Sequence, residues 1–186
     1  RNKLKDARDA LSTMRGVLPE ILAAQWLTLS GRHPVRTRWK PSLLGGREVD
    51  AVGLEQRPDS TAVLHVVEAK CRAETYRDLA NDLQEFSAKL GLLKTNLHES
   101  ISALTRGKVA VCSATIRGYL VTLSASIDED VPIPEGIELW SRQEFVSRLR
   151  CARVPKQYID MLETKMLAHE WTPGAPGPWP FELQDK

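Results

Sequence analysis

The sequence predicts an α/β fold in which a mixed β-sheet is flanked by helices on both faces, and three observations carry this. Leu64-His65-Val66-Val67 is a β-branched, apolar run of strand length, bounded by polar segments. Leu79, Leu83, Phe86, Leu90 and Leu93 recur at three- and four-residue steps, which builds one apolar face along a helix from about 76 to 93. The order helix, three-strand meander, long helix, strand, strand, helix is that of a layered α/β sheet.

The elements follow in order. Residues 2–15 are charged and helix-forming, with Leu4, Ala7, Leu11 and Met14 on one stripe. Gly16 and Pro19 punctuate the chain. Pro19 suits the first turn of a second helix that runs to about Leu29 and ends at Gly31. Residues 35–39, 47–54 and 62–69 are expected strands, and the polar loop Gln56-Arg57-Pro58-Asp59-Ser60 closes the last two into an antiparallel hairpin. Residues 109–115 and 119–124 are the fourth and fifth strands, joined by a turn at Arg117-Gly118. An acidic, proline-containing loop over 128–136 leads to a short sixth strand at 137–140. Ser141, with Glu144 three residues on, forms a capping box for a helix through Arg150. Another short helix is expected over 155–168. The segment 172–180 is dense in Pro and Gly and is expected to lie extended on the surface, anchored by Trp171, Trp179 and Phe181.

A chain of 186 residues fits one domain with room for a full core. Its 42% hydrophobic and 27% charged residues are those of a soluble globular protein. No apolar run approaches the ~20 residues that span a bilayer, and no signal-peptide pattern opens the chain, so a cytoplasmic protein without a membrane partner is expected. The chain opens on Arg1 rather than Met, as a piece of a longer protein with further domains would. Cys71, Cys112 and Cys151 are odd in number and widely spaced, which reads as free thiols in a reducing compartment. His33, His98 and His169 have no partners at ligand spacing, while His65 reads as a packed, hydrogen-bonded core histidine. The chain has no GxSxG, P-loop or GxGxxG.

The chemistry gathers at the end of the third strand. Glu68 and Lys70 lie two positions apart and so point to one face, and the hairpin brings Asp50 beside them. Charges at the end of a core strand are costly unless they are paired or hold a metal. Two carboxylates and an ammonium at one point suit a divalent cation and a phosphodiester. Upstream, Glu20 shares a helix face with Ala23, Ala24 and Leu27. Arg32, His33, Arg36, Arg38, Lys40 and Arg47 form a basic stretch with Trp39 among them, able to track a phosphate backbone or to blunt a solvated edge strand, and Arg36, Arg38, Lys40 and Arg47 are its expected phosphate contacts. Arg72 falls on the face of Lys70 if the strand continues. Glu48 could bind a second metal or pair with a neighbouring arginine, and Gln84 reads as solvated.

Asp50 and Glu68-Ala69-Lys70, with Glu20 upstream, resemble the PD-(D/E)xK nuclease superfamily, which includes restriction endonucleases, Holliday-junction resolvases and Mrr-like enzymes. The resemblance spans roughly residues 17 to 150 and departs from the motif at Val49, where the proline would stand. It divides the chain into an N-terminal helix or linker (1–16), a nuclease core (17–150) and a C-terminal helix with a Pro/Gly-rich tail (151–186). It implies a restriction-endonuclease-like sheet and a Mg²⁺-dependent endonuclease, with Mn²⁺ able to substitute, acting on DNA in preference to RNA in a microbial defence, restriction or repair system. Asp50, Glu68, the Ala69 carbonyl and Glu20 are the implied metal ligands, and Lys70 the residue that orients or deprotonates the attacking water. Partial desolvation beside a cation would disfavour the charged form of Lys70 and help it act as a base. A homodimer is compatible with this picture. The rivals are a nuclease-fold module that binds or assembles without cleaving, and a regulator using residues 141–168 as a helix-turn-helix, against which no clear tight turn stands between the two helices.

Overall fold

The computed structural model describes residues 17–70, 76–123, 127 and 131–167. Helix α1 covers residues 17–29. It is followed by β1 (Val35–Trp39), a 3₁₀ turn (Ser42–Leu44), β2 (Val49–Gln56) and β3 (Thr61–Lys70). Then come α2 (Tyr76–Thr95), α3 (Leu97–Thr105), β4 (Ser113–Thr122), β5 (Ile137–Trp140), α4 (Arg142–Cys151) and α5 (Lys156–Leu167). The sheet has five strands in the order β1-β2-β3-β4-β5. β1, β2 and β3 pair antiparallel, whereas β3–β4 and β4–β5 are parallel, so the sheet is mixed. β3 is central, and its residues Ala62 to Glu68 are all buried. A near-continuous apolar run is what a strand covered on both faces requires.

Two cores lie on the two faces. On one, Val52, Leu54, Leu64 and Val66 pack against Leu79, Leu83, Phe86, Leu90 and Leu93 of α2 and Ile101 and Leu104 of α3. On the other, Ala51, Val67, Tyr119, Val121 and Trp140 pack against Leu22, Trp26 and Leu27 of α1, Phe145 and Leu149 of α4, and Ile159 and Leu162 of α5. Each fully buried Leu or Phe among these is worth about 1.5–3 kcal/mol. Strand alternation assigns the candidate site residues to a face. Asp50 has the parity of Val52 and Leu54, and Glu68 and Lys70 that of Leu64 and Val66, so all three belong to the α2 side. His65 belongs to the other. It is 1% exposed, accepts a 2.8 Å hydrogen bond from the Tyr119 hydroxyl at Nδ1, and donates from Nε2 to Glu55 at 3.1 Å. Burial, with the charge of Arg32, lowers its pKa to about 4, which keeps the ring neutral, and the Glu55 carboxylate, which can only accept, puts the proton on Nε2.

Three sequence expectations are corrected. The two strands expected over 109–115 and 119–124 are one, β4, which runs through Arg117-Gly118 and pairs with β3 over ten positions from Thr61↔Ser113 to Lys70↔Thr122. Gly118 is not a turn residue. A Cβ there would press into Leu90 Cδ1 and come within 3.0 Å of Phe86 Cε1, so the glycine is what lets α2 lie close on the sheet. Helix α3 was not expected, because its buried face rests on little more than Ile101 and Leu104. A tight turn does join α4 to α5: Arg153 is left-handed at φ 61° and the Val154 N–H bonds to the Leu149 carbonyl at 3.0 Å. Around it Arg150 pairs with Glu163 at 2.9 Å, Lys156 with Asp160 at 2.6 Å, and Arg148 lies over Trp140, so several basic groups of this region have partners within the chain.

Other expectations hold as read. Ser141 Oγ accepts from the Glu144 N–H at 3.2 Å while the Glu144 carboxylate accepts from the Ser141 N–H at 2.8 Å, the reciprocal capping box of α4. Cys112 and Cys151 are free and exposed. No helix among the described residues is long and apolar enough to cross a membrane. The helix expected over 2–15, the tail over 172–180, Arg72, Cys71 and His169 lie outside the described residues.

Candidate active site

The β2–β3 register, Ala51↔Val67 through Gln56↔Ala62, carried one step further sets Asp50 against Glu68. The hairpin therefore delivers the juxtaposition that the sequence implied. Asp50 Oδ2 accepts a 2.7 Å hydrogen bond from the Ala69 N–H, which locks the two strand ends together. Glu68 is 5% exposed, and its Oε1 accepts from Lys70 Nζ at 3.0 Å. Its other oxygen, Oε2, is buried with no hydrogen-bond partner among the described residues.

Two further residues enter from α2 that the motif did not name. Lys89 Nζ donates to the same Glu68 Oε1 at 2.8 Å, and Asp82, 3% exposed, stands 3.8 Å from Lys70 Nζ. A signal for them existed. Asp82 and Lys89 are seven residues apart, and they interrupt the apolar stripe Leu79, Leu83, Phe86, Leu90, Leu93 on its own face. Charges on the buried side of an amphipathic helix need partners, and the strand-end charges were the ones to hand.

Glu20 stands at the rim. Its side chain is 12% exposed and its Oε2 meets Arg38 Nε at 3.2 Å. Arg38 is left-handed at φ 49°, a strained conformation for a side-chain-bearing residue, and it lies between the pairs Thr37↔Ala51 and Trp39↔Val49, opposite Asp50. Lys40 pairs with Glu48 at 2.9 Å, so the partner of Glu48 is a lysine rather than an arginine, and this pair lowers the Glu48 pKa. Two of the expected phosphate contacts, Arg38 and Lys40, are thus engaged by carboxylates of the chain. Arg36 is half-buried and Arg47 exposed just before β2. Gln84 is exposed, as read.

The carboxylates sense one another. Burial pushes the Asp50 pKa up to about 7, aided by the charges of Glu68 and Glu20 and opposed by the Ala69 N–H and Lys70. Glu20 is raised as well, by burial and by Glu48 and Glu68, against the pull of Arg38. Lys70 is pulled both ways. Burial lowers its pKa, but the charge and hydrogen bond of Glu68, with Asp82 and Asp50, outweigh that and the net shift is upward. The surrounding carboxylates thus favour the ammonium form of Lys70.

Among the described residues, no three His, Cys, Asp or Glu side chains are close enough as placed to form a metal cage. A Mg²⁺ site does not need one, since one or two carboxylates with waters and a substrate phosphate complete its shell. The unpartnered Oε2 of buried Glu68, beside an Asp50 whose proton a cation would displace, is a donor set of that kind. Two surface grooves formed by described residues lie elsewhere. One is lined by Ile21, Ala24, Thr28, Leu29 and Pro155, the other by Ala80, Leu83, Ala88, Pro132 and Pro134. Fold and site together define an α/β protein with a carboxylate–lysine cluster at the end of its central strand. No family model, curated protein or solved structure matches the chain.

Proposed function

We propose that the chain is a divalent-cation-dependent nuclease of the PD-(D/E)xK type with a restriction-endonuclease-like core, hydrolysing phosphodiester bonds in DNA in a microbial defence, restriction or repair setting. The observation that carries the reading is the buried Glu68. It has one oxygen without a partner and the other under two lysines, and it faces Asp50 across the hairpin. A buried carboxylate oxygen without a donor calls for an explanation, and a bound cation would give one.

Asp50 and Glu68 would hold Mg²⁺ or Mn²⁺, with Glu20 and the Ala69 carbonyl completing the protein's share; the bound cation would polarise the phosphoryl group and supply an activated water. Asp50 must give up its proton to serve, and its pKa of about 7 places that step near neutrality. The Ala69 N–H holds Asp50 in place while it does so. Lys70, kept charged by its carboxylate neighbours, stabilises the negative charge that builds on the phosphate. Arg36, Arg38, Lys40 and Arg47, with Arg72, are the basic groups assigned to the nucleic-acid backbone.

The test is incubation with plasmid, linear duplex, single-stranded DNA and RNA in Mg²⁺, Mn²⁺ or EDTA. Cation-dependent cleavage of DNA is expected, with Asp50→Asn, Glu68→Gln and Lys70→Met each reducing it by orders of magnitude, since groups acting as a unit fail together. Variants that cleave like the parent, or a protein that cuts nothing, would sink the reading. In the latter case DNA binding without turnover would favour the alternative, a nuclease-fold module used for binding or assembly.

A further inference from the structure

Glu68 carries two ammonium groups on one oxygen. Lys70 Nζ is 3.0 Å and Lys89 Nζ 2.8 Å from Oε1, while Oε2 has no partner among the described residues. Two buried carboxylates, Glu68 and Asp82, stand against these two lysines, yet both ammonium groups lie on the one oxygen of Glu68, and that sharing calls for an explanation. The two lysines are not equivalent. Lys89 projects from the inward side of α2, between Phe86 and Leu90, and its side chain is 12% exposed. Lys70 is the last residue of β3, its side chain 24% exposed, and it is shared with Asp82 at 3.8 Å. The more enclosed lysine sits closer to the carboxylate, and the more accessible one is divided between two acids.

We propose that Lys89 is the fixed counter-ion that positions Glu68, so that Lys70 can leave the carboxylate for a substrate phosphate without stranding a buried charge. By holding Oε1, Lys89 also sets the plane of the carboxylate and leaves Oε2 as the oxygen free to take a cation. The inference deepens the nuclease reading and rests on it for the substrate, but the pairing on Glu68 belongs to the protein alone and can be measured without any nucleic acid. Lys89 is a positioning residue here: it acts on the reaction through Glu68 and Lys70.

The experiment has two arms. In the first, urea unfolding in EDTA compares the parent with Lys70→Met, Lys89→Met and the double variant. Redundant pairing predicts small shifts in midpoint for each single change and a double-variant shift larger than their sum, because only then does Glu68 lose both cations. Simple additivity, or a Lys89→Met shift equal to that of the double variant, would overturn the proposal. In the second arm, Lys89→Met should bind DNA in Ca²⁺ with the parent's affinity. It should cleave about 10- to 100-fold more slowly at saturating DNA, because Lys70 remains committed to Glu68. A rate equal to the parent's, or a loss seen wholly as weaker DNA binding, would contradict it. Lys89→Gln, which keeps a donor without the charge, serves both arms should the Met variant fail to fold. If the parent itself cleaves nothing, the nuclease reading falls, while the unfolding arm still decides whether Lys89 serves Glu68.

Discussion

Asp50 is where residue-level physics makes the sharpest claim. Its folded pKa of about 7 lies far above that of a carboxyl in an unfolded chain. Between roughly pH 4 and 7 the native state holds a proton that the unfolded state has released. Its contribution to stability is therefore complete below about pH 4 and is lost as pH rises through 7. Asn at this position can still accept the Ala69 N–H but cannot ionise. In EDTA, Asp50→Asn should gain on the parent by on the order of a few kcal/mol between pH 5 and 8, read by urea unfolding across that range. If the two proteins instead run parallel, Asp50 is ionised throughout. On the proposed reading the same proton would govern cation binding: apparent Mn²⁺ affinity of the parent should climb with pH below 7 and level off above it. At this scale the sequence disclosed Asp50, Glu68 and Lys70 because strand parity is a local rule. It did not disclose the protonation states, which depend on neighbours such as Asp82 and Glu20 that arrive from other elements.

At the scale of elements, α2 and β4 illustrate how a local signal is misread. Gly118 beside Arg117 has the composition of a turn, yet it lies mid-strand because Phe86 and Leu90 of α2 occupy the space where a side chain would be. Gly118→Ala should therefore destabilise the fold by about 1–3 kcal/mol through overpacking, and Gly118→Val by more, both measured as a fall in the urea midpoint. A Gly118→Ala protein as stable as the parent would mean that α2 does not sit on the sheet at this point. The elements read correctly from sequence, among them the β2–β3 hairpin, the long apolar face of α2 and the Ser141–Glu144 capping box, are those whose determinants lie within a few residues of one another.

For the whole molecule, a net charge of +2 conceals an uneven distribution, with Arg36, Arg38, Lys40 and Arg47 along the β1 edge beside the carboxylates. Arg38 and Lys40 are held by Glu20 and Glu48, but their side chains are 60% and 58% exposed, and pairs of that kind are worth only about 0–1 kcal/mol. On the proposed reading they would open to meet phosphates. Replacing Arg36, Arg38 and Lys40 with Gln should weaken DNA binding, measured in Ca²⁺ across a salt series, and lower the log–log salt slope by roughly 0.9 for each phosphate no longer neutralised. An unchanged slope would return β1 to the role of a charged edge strand that resists pairing with other chains.

What the sequence determined by itself is the layered α/β class, the hairpin that sets Asp50 against Glu68, and the shared face of Glu68 and Lys70. All of these follow from periods of two and 3.6 along the chain and from short-range turn chemistry. Only the tertiary structure decided that β4 is one strand running parallel to β3, that Lys89 and Asp82 complete the cluster, and that the surrounding carboxylates favour the ammonium form of Lys70. Periodicity says which side of an element is buried. Which distant charges meet there, and how far water is excluded from them, is settled only when the layers close.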